Sequence, residues 1–388
     1  MKAIINANIL TMAGENIENG TVIYDKTINY VGERTELPGG CEVIDAKGAY
    51  LTPGLIDAHC HLGLFGDSLG VEGDDGNEDS DPITPQLRAI DAINPFDRGF
   101  AEARCAGVTC VVTGPGSANP ISGQFAAVKT YGICVDDMVL KAPAAMKFAL
   151  GENPKSVYTD KNQSPVTRMG TMSLIREALF KARDYSDALR LFSESGEEAD
   201  KPEFDMKNDA LVPVIRGEIP VKVHAHRADD ICSALRLASE FGIRVTIEHC
   251  TDGEAIADIL AERKVPVMLG PTLSDRSKPE LSSLGFSIYK TLSEKGISVA
   301  IITDHPEITA DNLLLCAQLA VRAGMKPELA LCGITSAAAK NCDIFDRVGS
   351  IEVGKDADFA MFDKYPLDFT AKNILTVING KTVHNANL

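Results

Sequence analysis

The chain has 388 residues, 45% of them apolar, and its 38 Lys and Arg against 55 Asp and Glu leave a formal net charge of −17. A chain of this size can bury one large core or two domains. Its charge excludes the basic surface that nucleic acid or an anionic membrane would need, and no run approaches the roughly 18 apolar residues of a membrane span.

The first residues, MKAIINANILTMAG, read as a strand with turn residues and lack the pattern of a signal peptide, so the expected location is the cytoplasm. The ten cysteines include no CxxC pair and lie mostly in apolar runs, which fits buried free thiols. Residues 1–52 alternate β-rich pieces (KAIINANIL, TVIYDKTINYVGE, CEVIDAKGAYL) with Gly and Asn turns, the form of hairpins in a small sheet.

At LTPGLIDAHCHLG an apolar strand ends in His59 and His61. Side chains two apart share a strand face, so the imidazoles project together in a chelating geometry. An isolated His-x-His is more often an ordinary hydrogen-bonded pair, and the rest of the chain must decide. The acidic, Gly-rich run from Gly66 to Pro82 reads as a loop, either simply solvated or a lid over a site.

From residue 53 to 349 the pattern becomes strand, helix, strand. LIDAHCHL, GVTCVVTG, VKVHAH, RVTIEHC, VPVMLG and SVAIITD are β-rich, and ADDICSALRLASEFG and GEAIADILAERK have helical periodicity. This predicts an α/β fold, a (β/α)8 TIM-like barrel. These are six of the eight strands a barrel needs; the other two must come from residues 123–150, from GQFAAVKTYG and KAPAAMKFALG, although the links there are too short for ordinary helices. The loop GPGSANPISGQ lacks the lysine and spacing of a Walker motif; it reads as a tight turn lining the site, with Asn119 and Gln124 as substrate contacts. Residues 350–388 return to β-rich pieces, with an Asn-Gly hairpin turn in ILTVINGKTVHN, and join residues 1–52 in one sheet domain.

Four of the six strands end in a potential metal ligand: His59 and His61, His224, His249 and Asp304. The C-terminal ends of barrel strands converge on one face. Three or four imidazoles and a carboxylate with open positions fit a borderline divalent ion such as zinc, nickel, manganese or iron. Taken singly, His224 reads equally as a core histidine and Asp304 as a helix cap. Six of the seven histidines nevertheless lie at strand ends, and the seventh, His384, sits in the terminal hairpin.

The order His59-x-His61, His224, His249, Asp304, opened by TPGLIDAHCH and closed by GSIEVGKDADFAMFD, resembles the metal-dependent amidohydrolase superfamily over essentially the whole chain. VHAHRADDI and ALGENPK resemble its imidazolonepropionase-like and dipeptidase-like branch. The resemblance implies a small β-sandwich from 1–52 and 350–388, one or two divalent metals, expected to be zinc, and hydrolysis of an amide or related bond. It also implies one more ligand, a carboxylated lysine or a glutamate, for which Lys147 and Glu152 are the candidates. Five apart, they face opposite sides of an unbroken strand. Glu152 is preferred because it lies nearer the catalytic rim and is anionic without modification.

By the same resemblance His226 binds the substrate or polarises its carbonyl, and His305 either does the same or supports the ligands. Arg227 pairs with a substrate carboxylate or, more simply, with Asp229 or Asp230. Asp304 takes a proton from water that the metal acidifies and passes it to the leaving nitrogen. Deaminases and imidazolonepropionase typically carry a glutamate shortly after the position of His224, where this chain reads Ala225, His226, Arg227, Ala228. A general C–N hydrolase is therefore expected ahead of a deaminase or a non-catalytic scaffold. With no Trp and 6% aromatic residues, the expected partner is a small polar substrate; self-association as a homo-oligomer is left open.

Overall fold

The computed structural model describes all residues except 34, 68, 198–200, 387 and 388. Its centre is a barrel of eight strands: β1 (Leu55–Cys60), β2 (Val108–Thr113), β3 (Ile121–Lys129), β4 (Val139–Ala149), β5 (Val221–Ala225), β6 (Val245–His249), β7 (Val267–Leu269) and β8 (Val299–Ile301). Neighbours in sequence are neighbours in the sheet. Closure between β8 and β1 comes just beyond the strand ends, where Asp304 N donates to His59 O at 3.2 Å and His61 N to His305 O at 2.8 Å. Three of the expected metal ligands, His59, His61 and Asp304, thus lie on the seam.

The six strands read from the sequence are all present, and the two missing ones are β3 and β4. The barrel departs from eight parallel strands because β3 runs antiparallel to both β2 and β4. That explains the short links: antiparallel neighbours need only a hairpin, whereas parallel ones need a crossover of a dozen or more residues. The strand residues are almost wholly buried because the layers outside the barrel cover them, which is why VTCVVT reads as a continuous apolar run without alternation. The helix Ala228–Phe241 shows how that cover is made. Ile231, Ala234, Leu235 and Leu237 form its buried stripe, and Gly242 ends it in a left-handed cap at φ 68°.

The two ends of the chain form a separate eight-stranded sheet. Tyr50–Pro53 pairs with Phe359–Phe362 from the far end of the chain and with Lys2–Ile9. Asn379 and Gly380, at φ 48° and 74°, make the tight turn between the last two strands. Buried Lys129 on β3 ties the barrel to the Asp356 and Asp358 segment leading into this sheet, lying 2.9 Å from Asp356 and in contact with Asp358. All ten cysteines are free, and Cys60, Cys110, Cys250, Cys316 and Cys342 are buried. Among the described residues no helix is long and apolar enough to cross a membrane.

Candidate metal centre

Alternation along β1 sends Asp57 and His59 to one face, and His61 follows one residue past the strand's end. Asp57 accepts hydrogen bonds from Thr303 N at 3.3 Å and from the Thr303 hydroxyl, which ties β1 to the segment carrying Asp304. Burial pushes the Asp57 carboxyl up to about 7, against the pull of those bonds. Above it, Asp304 Oδ1 stands 3.5 Å from His59 Nε2 and 3.3 Å from His61 Nε2. The backbone at Asp304 and His249 is left-handed, with φ of 56° and 70°. Such strain in a non-glycine residue concentrates at functional sites.

Among the described residues two trios result, His59, His61, Asp304 and His224, His226, His249; within each, the candidate ligand atoms lie within 4.8 Å of one another. The outer nitrogens meet protein acceptors. His61 Nδ1 is 2.7 Å from Gly114 O and His249 Nδ1 is 2.7 Å from Gly270 O, which makes each Nδ1 the protonated nitrogen and leaves the Nε2 lone pair for a ligand role. His59 Nδ1 lies 2.8 Å from Glu248 Oε2. Burial, then the charges of neighbouring Lys147 and Lys222, holds His59 well below its ordinary pKa; burial does the same for His224 and His249, and lowers His226 to about 4. His59, His224, His226 and His249 are therefore neutral, as imidazole ligands must be. Burial would raise Asp304, but His249, His61 and Lys147 outweigh it and keep the carboxylate ionised.

This donor set fits a divalent ion. Asp304 Oδ1 and His224 Nδ1 are buried without a hydrogen-bond partner, a costly state for polar atoms with nothing to bind.

Several expectations from the sequence need correction. Glu152 is in neither cluster of candidate ligands among the described residues: β4 ends at Ala149, Gly151 turns at φ 84°, and Glu152 opens the helix Glu152–Asp160 half-buried, its backbone N–H donating to Glu280 Oε2 at 3.1 Å. The turn breaks the unbroken strand on which the comparison with Lys147 rested. Lys147 is the residue brought in, fully buried with Nζ 3.1 Å from His59 Nε2. Burial lowers its pKa to about 8 even though Asp304 and Glu248 pull the other way.

Asn119 is also not available to a substrate. Its amide donates to Glu78 O and Thr84 Oγ1 and its oxygen accepts from Tyr158, so it pins the loop instead. Gln124 donates to Pro85 O at 3.3 Å and borders a separate crevice beside Arg88. Arg227 is exposed and takes the simpler alternative, a two-pronged pair with Asp229 at 2.9 Å. His305 accepts from Ala310 N through Nδ1 and lies outside both trios; His384 lies in an outer strand of the terminal sheet.

His226 stays in place, bordering a cavity of about 260 Å³ over the strand ends together with Ser117, Asn153, Ser274, Lys278 and Asp304. The acidic segment borders it too, through Asn77, while Phe65 sets its ring edge against His61 at 5.7 Å; residue 68 of that segment lies outside the described residues. A larger cavity of about 670 Å³ lies at the opposite end, where β5 and β6 begin, among Arg244, Arg263 and Lys264 and away from every candidate ligand.

Three charged side chains set beside the histidines or beside one another escaped the reading of the sequence. Glu248 and Lys222, 3.1 Å apart, are fully buried charges in otherwise apolar strands, a visible signal in VKVHAH and RVTIEHC. Glu280 comes from the loop after β7 and carries no such signal.

The family model described as "Amidohydrolase family" matches residues 50–384. The amidohydrolase tasK of Hapsidospora irregularis is 29% identical over 379 residues, covering 89% of this chain but only 37% of that longer protein. The imidazolonepropionase of Brucella suis biovar 1 (strain 1330) is 26% identical over 376 residues, 89% of this chain and 87% of that one. Among solved structures, an amidohydrolase from Thermotoga maritima MSB8 superposes with a TM-score of 0.95 at 39% identity, covering 99% of this chain and 100% of that one. With its histidines and Asp304 at the strand ends of this barrel, the chain belongs to the amidohydrolase family.

Proposed function

We propose that this chain is a divalent-metal-dependent hydrolase of a C–N bond in a small polar substrate, with zinc as the metal and the cytoplasm as its location. The observation that carries the reading is the buried, unpartnered Asp304 Oδ1 held between His59 and His61. Divalent metal would be held by His59, His61, His224, His249 and Asp304, with Lys147, carboxylated on its amine, as a further ligand, and would acidify water and polarise a carbonyl.

The chain's own residues supply the rest. Asp304 is ionised and opens on the cavity, where it can take a proton from the attacking water and deliver it to the leaving nitrogen. His226 borders the same cavity with Nδ1 2.7 Å from Thr251 Oγ1, and can offer Nε2–H to the substrate carbonyl. Lys278, Asn153 and Ser117 give the cavity wall hydrogen-bonding groups suited to a polar substrate of limited size. The free cysteines accord with a reducing compartment.

The test is a screen of dipeptides, N-acyl amino acids and cyclic ureides against the purified protein, before and after chelation. Hydrolysis that chelation abolishes and zinc restores supports the reading; hydrolysis indifferent to chelation refutes it.

A further inference from the structure

We propose that the cavity at the opposite end of the barrel from the candidate metal centre binds a small aliphatic organic anion carrying two or more negative charges, a polycarboxylate or a phosphate ester. The proposal stands apart from the hydrolase reading, because none of the candidate ligands lines this cavity.

The cavity, of about 670 Å³, opens where β5 and β6 begin. That size suits a small organic molecule. Three separate pieces of chain bring four cations to its wall: Arg244 comes from the turn before β6, Arg263 and Lys264 from just past the helix Ala257–Glu262, and Lys340 from the helix Ser336–Asn341. Among the described residues that line it, Asp343 is the one carboxylate, and it is already engaged. Arg244 meets it through two nitrogens at 2.8 and 3.2 Å, and Lys141 lies 3.7 Å away. Arg263, Lys264 and Lys340 form no ion pair among the described residues. In a chain with 55 acidic against 38 basic residues, three cations without a carboxylate around one cavity reverse the overall charge locally. A concave wall concentrates the field they make.

Helix ends account for part of this arrangement, since cations complement the partial negative charge of helix C-termini. Arg263 serves that purpose with one nitrogen: Nη1 donates to Leu235 O at 3.3 Å and Ser239 Oγ at 3.2 Å, near the end of the helix Ala228–Phe241. Its Nε and Nη2 have no acceptor among the described residues, and they form an edge that meets a carboxylate or phosphate with two parallel hydrogen bonds. The ammonium groups of Lys264 and Lys340 donate to no carbonyl among the described residues. Lys340 lies over the Phe345 ring at 4.6 Å, and Lys264 is held in left-handed backbone at φ 52°, a conformation uncommon in a residue with a side chain. Helix capping therefore leaves three cationic groups free to face a ligand. Leu235, Ile243, Val245 and Val265 add apolar surface for a carbon skeleton, and no aromatic ring lines the cavity to stack on a nucleotide base.

Isothermal titration calorimetry of the purified protein with tricarballylate and with fructose 1,6-bisphosphate separates the two sources, since whichever probe binds names the acidic group. The expected results are one site per chain with a dissociation constant below about 1 mM at low salt, and binding that weakens as salt rises. Affinity should fall about tenfold or more in an Arg263→Gln, Lys264→Gln, Lys340→Gln triple variant. It should hold in the His59→Ala, His61→Ala variant, which separates this site from anion capture by the metal centre. Binding of neither probe, an unchanged affinity in the triple variant, or a loss confined to the histidine variant overturns the proposal. Should the triple variant fail to fold, acetylation of the wild-type protein followed by mass spectrometry decides. Bound probe must slow modification of Lys264 and Lys340 but not of exposed Lys381; unchanged rates at Lys264 and Lys340 overturn the proposal.

Discussion

Glu248 Oε2 lies 2.8 Å from His59 Nδ1 and 3.1 Å from Lys222 Nζ, so one buried carboxylate on β6 serves a histidine on β1 and balances a lysine on β5. A carboxylate behind a metal-ligating histidine fixes its ring and raises its basicity. Glu248→Gln should therefore lower metal affinity or kcat/KM by about 10- to 100-fold. Elemental analysis and kinetics on the folded variant check it, and an unchanged enzyme contradicts it.

The two candidates near the end of β4 should behave in opposite ways. Lys147→Ala should abolish activity, whereas Glu152→Gln should stay within a few-fold of wild type, because Lys147 touches His59 and the Glu152 side chain touches none of the ligands. A damaged Glu152→Gln beside an active Lys147→Ala would restore the preference drawn from the sequence.

Carbamate formation on Lys147 consumes the free amine and releases a proton. Burial brings this amine to about 8 from an ordinary value near 10.5, so the reactive neutral form grows as pH rises through about 8 and is scarce below 7. At equal dissolved CO2, reconstitution of metal-depleted protein with zinc should accordingly restore activity faster at pH 8.5 than at pH 6.5, by roughly tenfold or more. Equal rates without bicarbonate would count against the carbamate.

Lys129 is buried against Asp356 and Asp358 where the barrel meets the segment entering the terminal sheet, and Arg347 completes the network at 2.8 Å from Asp356. Lys129→Met strands buried carboxylates and should cost about 3–5 kcal/mol in denaturant unfolding. Burial acts to raise Asp356, but the Arg347 hydrogen bond and Lys129 hold it below the usual carboxylate range. Its contribution is therefore full above the unfolded carboxylate value near 4 and is lost as pH falls through the lower folded value. The stability gap between wild type and variant should narrow below about pH 4; a gap that widens on acidification contradicts this.

The segment from Gly66 to Pro82 borders the cavity through Asn77, and Gly116 N donates to Gly76 O at 2.8 Å. Limited proteolysis should cut within 66–82 before cutting barrel strands, and more slowly with an inhibitor bound. First cleavage elsewhere, with this segment intact, would contradict its role as a rim loop.

Legibility in the sequence followed regular backbone. His59 and His61 stand out because period two holds through β1 and one residue past it, His224 and His249 because they end apolar strands, and Asp304 because it follows the apolar β8 within three residues. It failed where the chain turns. Gly151 breaks the parity that pointed to Glu152, Asn119 spends its amide on Glu78 and Thr84, and Gln124 lies on the antiparallel β3, which the short links implied but did not orient. Glu280 reaches the histidines from a loop with no periodicity, so only folding reveals it.

The central claim, that these strand ends form a metal centre, is tested most directly by elemental analysis of the protein purified without chelator, beside a His59→Ala, His61→Ala double variant of equal thermal stability. The account predicts one or two equivalents of divalent metal in the wild type and loss of most of it, with activity, in the double variant. A metal-free wild type, or an unchanged stoichiometry in the variant, would contradict it.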